Sequence, residues 1–428
     1  MKIEAAFRDV FKGRNQDLQL EIRDVRMDSR LVEKGDVFFA IGGGNKFVEA
    51  TLERGASLVI YDDPEVEIDN SRAILVEDTI ETMQELAREY RKLLDVKVIG
   101  ITGTNGKTST KDIVYSILSQ KYRGIKSQGN YNNHIGLPYT ILQLREGDEF
   151  AVLEMGMSSF GEIDLLCEIS GIDYGIITNI GESHLEFLKS VDNVFKAKGE
   201  MLKYLPMERR ILFGDDRYLK DVEGIKAGFE EENNFILSRV AEDEEGVNFT
   251  LSGEEYRIPI NGYYNAINAA LGVALGKTFG MSYEEIRGGL EEASLSSMRY
   301  EKRKISEKLY INDAYNADPL SMRSAFKSFN SLYNDTYKVM VLGDMLELGE
   351  GSGDYHRDLK DDLEGIKVDL ILLYGDEMRA LKEAFGDTDR VLYLGSKEEI
   401  VKRIDRIEGR TTILLKGSRG MKLEEIIR

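Results

Sequence analysis

The chain has no tryptophan, one cysteine, three histidines and five prolines in 428 residues. A lone cysteine, Cys167, excludes an internal disulfide and fits a reducing cytoplasm. No apolar run approaches the length needed to cross a bilayer. The opening MKIEAAFRDVFKG mixes charges and lacks the apolar centre of a secretory signal. Positive charge is in deficit: 57 Lys and Arg face 77 Asp and Glu, a net charge of −20. A polyphosphate would be repelled by that field, which excludes nucleic acid as a partner. A small anion is not excluded, because it needs only a local basic pocket. Sequence repeats and low-complexity segments are also missing. Scarce glutamine beside abundant Glu, Lys and Arg points toward a heat-adapted protein.

What remains is globular in composition, with 42% hydrophobic and 31% charged residues. The length allows about two or three domains. Three zones separate by pattern, at 1–95, 96–297 and 298–428. The first carries the strand-like runs DVFFAI, ASLVIYDD and RAILVED, then the helical stretch TIETMQELAREYRKLL. The second opens on the strand VKVIGI and alternates strands with helices; AVLEM and DYGIITNI are runs of the buried-strand type. Within it NFILSRV, GVNFTLSG and EYRIPI form a meander-like insertion between acidic turns. The third repeats the alternation with YKVMVLGD, DLILLYGD, RVLYLGS and TTILLKGS. The fold class is α/β: a small N-terminal domain, a central domain of the P-loop ATPase type, and a Rossmann-like C-terminal domain. Ligands of such sheets gather at the carboxyl ends of strands.

Residues 98–110 read VIGITGTNGKTST, an apolar strand that runs into a glycine-studded turn and a helix. Ile113, Val114, Ile117 and Leu118 share one face of that helix, so it can lie on the sheet. Its N-terminus then offers N–H groups and a partial positive charge to phosphate oxygens. Lys107 can reach terminal phosphates, and the Thr108 hydroxyl can hold Mg²⁺. Ile101 stands where a Walker loop has its first glycine. A phosphate loop alone does not separate a switch, a kinase and a ligase.

Other candidates are less constrained. Glu154 ends AVLEM, where it would project toward the nucleotide as a magnesium ligand or rest as a solvated strand-end carboxylate. His184, after the strand DYGIITNI, is placed for metal or phosphate, or is structural. His134 can line the crevice or pack, and His356, among polar residues, is expected at the surface. Lys198 in VFKAKGEML reads by pattern as a surface lysine on an amphipathic helix.

Taken in order, TGTNGKTST, NYNNHIGLP, LEMGMSSFGEI, TNIGESHLEF, AKGE, NAIN, SSMRYE, NDAYNADPLS, LGDMLELG and LLKGSRGMK resemble the Mur ligases of bacterial cell-wall synthesis. EMGMSSFGEI and GDMLELG resemble the branch that adds D-alanyl-D-alanine. The family's phosphate loop also lacks the first Walker glycine, so Ile101 is expected. The resemblance implies that Gly103, Thr104, Asn105, Gly106, Lys107, Thr108 and Ser109 bind ATP. Asn268 would contact adenine, Arg299 would reach the nucleotide, and Asp313, Tyr315 and Asn316 would close over it. Thr108 and Glu154 would hold one Mg²⁺. His184 and Lys198 would serve a second, the lysine as a carbamate, because an ammonium cannot ligate a cation. Ser29 and Arg30 in DSRLVEKGDVFFAI would bind the uridine diphosphate end, and Asn133 joins the substrate contacts. Lys416, Ser418 and Arg419 would bind the dipeptide carboxylate or form a solvated basic loop.

Two departures stand out. Tyr264 replaces a family histidine in GYYN, and GGGNKFVEA is shorter than the usual segment. The implied reaction uses ATP to make an acyl phosphate on UDP-N-acetylmuramoyl-tripeptide, which D-alanyl-D-alanine then attacks. A monomer working in the cytoplasm is expected. The rivals are a ligase adding the third amino acid, a folylpolyglutamate synthase, a kinase, and a nucleotide-driven switch.

Overall fold

Three sheets follow one another along the chain. The computed structural model describes residues 2–12 and 21–428, so Met1 and Gly13 of the opening segment lie outside the described residues. The first sheet holds four parallel strands in chain order: β1 (Val25–Arg26), β2 (Val37–Phe39), β3 (Leu58–Tyr61) and β4 (Ala73–Leu75). The helix Thr79–Leu93 follows, started by Asp78, whose carboxylate accepts the N–H groups of Ile80 and Glu81. Its buried face, with Met83, Leu86 and Tyr90, joins one apolar cluster containing Phe7 and Phe39 of the first zone and Leu137, Ile163 and Met201 of the second. Polar bonds repeat the link: Tyr90 Oη donates to Leu144 O at 2.7 Å, and Arg91 reaches Asp173 at 2.9 Å. This helix is the cement between the first two zones.

The central sheet has nine strands. They are β5 (Lys97–Thr102), β6 (Gly124–Lys126), β7 (Phe150–Glu154), β8 (Tyr174–Ile177), β9 (Arg210–Phe213), β10 (Ile225–Gly228), β11 (Phe235–Asp243), β12 (Gly246–Leu251) and β13 (Glu254–Ile258). Their order is β13-β12-β11-β10-β9-β8-β5-β7-β6. β5 lies between β7 and β8; the chain leaves β5 toward β6 on one side and leaves β8 toward β9 on the other, which opens a crevice at their carboxyl ends. The segments expected as an inserted meander are β11, β12 and β13. They are antiparallel to one another, but β11 pairs parallel with β10 and carries the main sheet onward. Their inward residues Leu237, Val247, Phe249 and Ile258 enter the same core as Ile99 and Ile113, which is why the edge is continuous.

The helix Lys107–Leu118 buries Ile113, Val114, Ile117 and Leu118, as its periodicity predicts. It lies against the helices Tyr263–Thr278 and Tyr283–Glu291. The last sheet contains β14 (Glu301–Ile305), β15 (Lys308–Asn312), β16 (Tyr337–Gly343), β17 (Leu370–Tyr374), β18 (Val391–Tyr393) and β19 (Thr411–Lys416). Its order is β14-β15-β19-β16-β17-β18, parallel except for the antiparallel β14. Separate apolar clusters cover its two faces, as a doubly wound sheet requires.

His356 is not at the surface. It is fully buried on the helix Ser352–Glu364, where Nε2 accepts the Met345 N–H at 2.9 Å and Nδ1 lies 2.7 Å from Ser352 O. Its charged sequence neighbours occupy other faces of the helix. His356, Leu359 and Leu363 form the buried stripe, at helical spacing. No described helix is long and apolar enough to cross a membrane.

Close helix packing gives a paired test. A Cβ on Gly289 would lie 2.4 Å from Ile117 Cα, which is backbone, whereas one on Gly288 would meet only the end of the Gln120 side chain at 3.3 Å. Gly289→Ala is expected to lower stability by about 1–3 kcal/mol through overpacking. Gly288→Ala is expected to be neutral or to add up to about 1 kcal/mol through helix propensity. Urea midpoints of the two variants check the opposite signs.

Candidate active site

β5 extends to Thr102, so Ile101 is buried within the strand and the turn begins only at Gly103. Gly103 has φ 148°, and a Cβ there would stand 1.9 Å from Thr178 Oγ1 at the end of β8. Gly106 has φ 79°, and a Cβ there would lie 2.5 Å from Asn268 Oδ1. Both positions therefore demand glycine. Asn179 braces the turn from the neighbouring strand end: its carbonyl accepts the Thr104 N–H at 3.0 Å and its Oδ1 the Asn105 N–H at 2.9 Å. Lys107 Nζ donates to the carbonyls of Gly103 (2.7 Å) and Thr104 (3.1 Å). Burial lowers the Lys107 pKa, Glu154 opposes that shift, and Arg299 adds to it.

Two cavities meet at this turn. One, of about 290 Å³, is lined by Gly106 and Ser109 of the turn, the apolar Phe213 and Ile267, and the polar Tyr264 and Asn268. The other, of about 310 Å³, is lined by Thr104, Lys107, Asn133, Glu154, His184 and Tyr315. Asn105, Gly106, Arg299 and Asn316 border both. A chamber that offers Phe213 and Ile267 to a base beside the charged Asp216, Asp313 and Lys416, next to one that holds Lys107, Glu154 and His184, suits a nucleotide and its reaction partner. The Tyr264 hydroxyl, raised well above its usual pKa by burial and then by Asp313, stays a neutral phenol in the first chamber.

Glu154 ends β7 at 3% exposure. Its Oε1 accepts from Asn132 Nδ2 at 2.9 Å, while its Oε2 is buried without a hydrogen-bond partner. A buried carboxylate oxygen left unpaired is costly, and a cation would offset that cost. Thr108 Oγ1 accepts from Arg299 Nη2 at 2.8 Å. His184, held at φ 53°, brings Nδ1 to 2.6 Å from Glu347 Oε2, and His184 in turn depresses the Glu347 pKa. Among the described residues no group of three or more His, Cys, Asp or Glu gathers at metal-binding distance. A Mg²⁺ ion held here would take one or two protein ligands and leave the rest of its shell to phosphate and water.

Lys198 is not a surface residue. It is 1% exposed on the helix Val191–Gly199, whose buried residues are Val194, Ala197 and Lys198. The lysine occupies the inner stripe at helical spacing, a place that polarity alone assigns to apolar residues. Burial puts its pKa well below the ordinary value, Lys107 lowers it further, and Asp318 opposes both.

The third sheet supplies the opposite wall. The Arg299 guanidinium sits 4.2 Å from the Tyr315 ring centroid, and Asn105 Nδ2 donates to Asp318 Oδ1 at 2.9 Å. Lys416 is buried, paired with Asp313 Oδ2 at 3.1 Å and bonded to Asn316 O at 2.7 Å. Ser418 Oγ accepts the Leu346 N–H at 2.9 Å, and exposed Arg419 pairs with Glu424. Lys416, Ser418 and Arg419 do not converge on one cavity. Asn133 borders the charged chamber, where its Oδ1 accepts the Gly136 N–H at 2.9 Å. Ser29 and Arg30 border neither chamber; Arg30 is exposed and pairs with Asp28 at 2.7 Å. His134 is exposed.

The Mur ligase middle domain matches residues 101–276, and the Mur ligase glutamate ligase domain matches residues 298–419. Over 430 residues the chain is 38% identical to the UDP-N-acetylmuramoyl-tripeptide–D-alanyl-D-alanine ligase of Bacillus subtilis, spanning 96% of this chain and 93% of that protein. The chain belongs to the Mur ligase family. The crystal structure of MurF from Acinetobacter baumannii aligns at a TM-score of 0.88 and 29% identity, over 99% of this chain and 97% of that one. MurF ligase from Thermotoga maritima, solved in complex with ADP, aligns at 0.84 and 26%, over 96% and 97%.

In this Mur ligase, five side chains described at the site are not singled out by the sequence: Asn132, Thr178, Asn179, Asp318 and Glu347. Each stands inside a motif already quoted, NYNNHIGLP, TNIGESHLEF, NDAYNADPLS and LGDMLELG. Motif membership was the available signal, but which atom faces the crevice depends on loop geometry that periodicity does not describe. Asn132 is the lever for a test, because it fixes the orientation of Glu154. If Glu154 holds Mg²⁺, Asn132→Ala is expected to raise the Mg²⁺ concentration needed for half-maximal activity about 10–100-fold, the usual effect of losing an outer-shell partner. An unchanged Mg²⁺ titration would remove Glu154 as a ligand.

Proposed function

We propose that this Mur ligase joins D-alanyl-D-alanine to UDP-N-acetylmuramoyl-tripeptide with cleavage of ATP to ADP and phosphate, forming the pentapeptide precursor of peptidoglycan. The reading is supported by the two chambers that meet at the Lys107 turn, one with Phe213, Ile267 and Asn268 on its wall and one around Lys107, Glu154 and His184. It is supported by the name of the Bacillus subtilis relative, with which the chain aligns almost end to end.

A carboxylate is a poor electrophile, since its charge repels a nucleophile and it has no good leaving group. In the reaction the tripeptide carboxylate oxygen attacks the γ-phosphorus, the bond to the β–γ bridging oxygen breaks, and ADP departs. The dipeptide amine then attacks the acyl carbon, the carbon–oxygen bond to phosphate breaks, one amine proton leaves with the phosphate, and the amide forms. The N–H groups at the start of the helix Lys107–Leu118 and the Lys107 side chain would face charge that shifts across the phosphates during transfer, where preorganised donors contribute most. Arg299, spanning both chambers, is assigned to hold the nucleotide against the turn. Asn268 and Ser109 would orient the nucleoside end, and Asp313, Tyr315 and Asn316 would close the third domain over it. Asn133 is assigned to the acceptor. Thr108 and Glu154 would hold one Mg²⁺, which neutralises phosphate charge when bound; His184 and Lys198 would serve a second. ATP as co-substrate puts the reaction in the cytoplasm.

Lys198 is assigned as a carbamate. Carbon dioxide reacts with a neutral amine, and burial shifts Lys198 toward that form at neutral pH. The carbamate is anionic and offers oxygens, which a lysine ammonium does not. Incubation with ¹³C-bicarbonate is expected to give a carbamate signal that Lys198→Ala lacks, and depleting CO₂ is expected to lower activity reversibly. A bicarbonate-supplied, active enzyme with no such signal would refute the assignment.

The ligase reading itself is tested by omission. Phosphate release is expected to require ATP, Mg²⁺, UDP-N-acetylmuramoyl-tripeptide and D-alanyl-D-alanine together. Release without the acceptors would indicate a switch, and a stable phosphoester would indicate a kinase. Lys107→Ala is expected to cost about 10²–10³-fold in kcat, as for removal of one transition-state donor, with a melting temperature near that of the parent.

A further inference from the structure

Arg299 is carried on the linker 292–300 between the helix Tyr283–Glu291 and β14. The residues on either side of it, Met298 (φ 60°) and Tyr300 (φ 56°), are both in the left-handed region without being glycine. Such backbone persists only where its surroundings over-determine it. Here alternate N–H groups are each gripped by a carboxylate. Ser296 N donates to Asp112 Oδ2 at 2.9 Å, Met298 N to Glu301 Oε2 at 3.0 Å, and Tyr300 N to Asp313 Oδ1 at 3.3 Å. Glu301 and Asp313 belong to the third sheet. Asp112 alone belongs to the phosphate-loop helix, one turn beyond Thr108.

Asp112 is built for that grip. Its side chain has no exposure, and its Oδ2 also accepts the Ser296 hydroxyl at 2.8 Å. Its Oδ1 faces Lys126 Nζ at 2.7 Å and Lys111 Nζ at 3.5 Å, and the two cations keep the buried carboxylate ionised. One rigid helix therefore presents Thr108, which receives Arg299 Nη2, and Asp112, which fixes the linker three residues before Arg299. We propose that Asp112, acting through Ser296, is a positioning residue that sets the Arg299 guanidinium on the phosphate loop and against Tyr315. The inference rests on the assignment of Arg299 to the nucleotide.

The test is a double-mutant cycle in the complete ligation assay, with kcat and KM for ATP measured alongside melting temperature for Asp112→Asn, Ser296→Ala, Arg299→Ala and the doubles with Arg299→Ala. In the parent background Asp112→Asn is expected to lower kcat/KM for ATP about 10–100-fold, the scale of a small misplacement, chiefly through KM. Ser296→Ala is expected to do so several-fold. In the Arg299→Ala background both are expected to cost less than about twofold, because the effect is transmitted through Arg299. Equal losses in the two backgrounds would mean a merely structural role and would overturn the proposal. Should Arg299→Ala leave kcat/KM for ATP unchanged, the nucleotide assignment of Arg299 would fail instead. If Asp112→Asn does not fold, Ser296→Ala decides alone, since it keeps both lysine pairs.

Discussion

The phosphate turn is squeezed from two sides. Thr178 presses where a Cβ of Gly103 would be, and Asn268 presses where a Cβ of Gly106 would be. That double contact is possible because β5 sits at the reversal of the central sheet, with β8 on one flank and β7 on the other. β8 delivers Thr178 and Asn179 to the turn, β7 delivers Glu154 beside it, and the helix Tyr263–Thr278 roofs it with Asn268. Displacing the backbone here would disturb every one of these partners at once.

Charge follows the same centre. A chain with a net charge of −20 collects Lys107, Arg299 and Lys416 around one crevice, with the buried Lys198 amine close to Lys107. Asp313 pairs with Lys416, and Asp318 sits near enough to Lys107 and Lys198 to oppose the loss of their protons. Glu154 keeps an oxygen unpaired. The balance is local: the cations are compensated well enough to be buried, yet the chamber remains able to accept phosphate.

The third domain reaches this centre through polar contacts. Asn105 meets Asp318, His184 meets Glu347, Thr108 meets Arg299, and Glu242 of β11 accepts from Ser328 at 2.8 Å. A seam of hydrogen bonds and ion pairs can be exchanged for water more readily than an apolar one. By contrast, the first two zones share an apolar core through the helix Thr79–Leu93. The chain thus has one joint closed by an apolar core and one that carries these polar contacts.

Much of this was legible in the residues alone. Strand runs, the stripe on the phosphate-loop helix and the glycine positions follow from periods of 2 and 3.6 and from the steric needs of a tight turn, which are local properties. Lys198 and His356 were not legible by pattern, because periodicity sorts ionisable residues outward while both lie on inner stripes. The register of β11 on β10, the pairing of Glu347 with His184 and the grip of Asp112 on Ser296 join residues far apart in the chain. Sequence by itself determined the kind of fold and the place where phosphate can rest, since backbone sterics and apolar spacing act between near neighbours. Only the tertiary structure decided which charged atoms face one another across the crevice, because that depends on how whole elements are brought together.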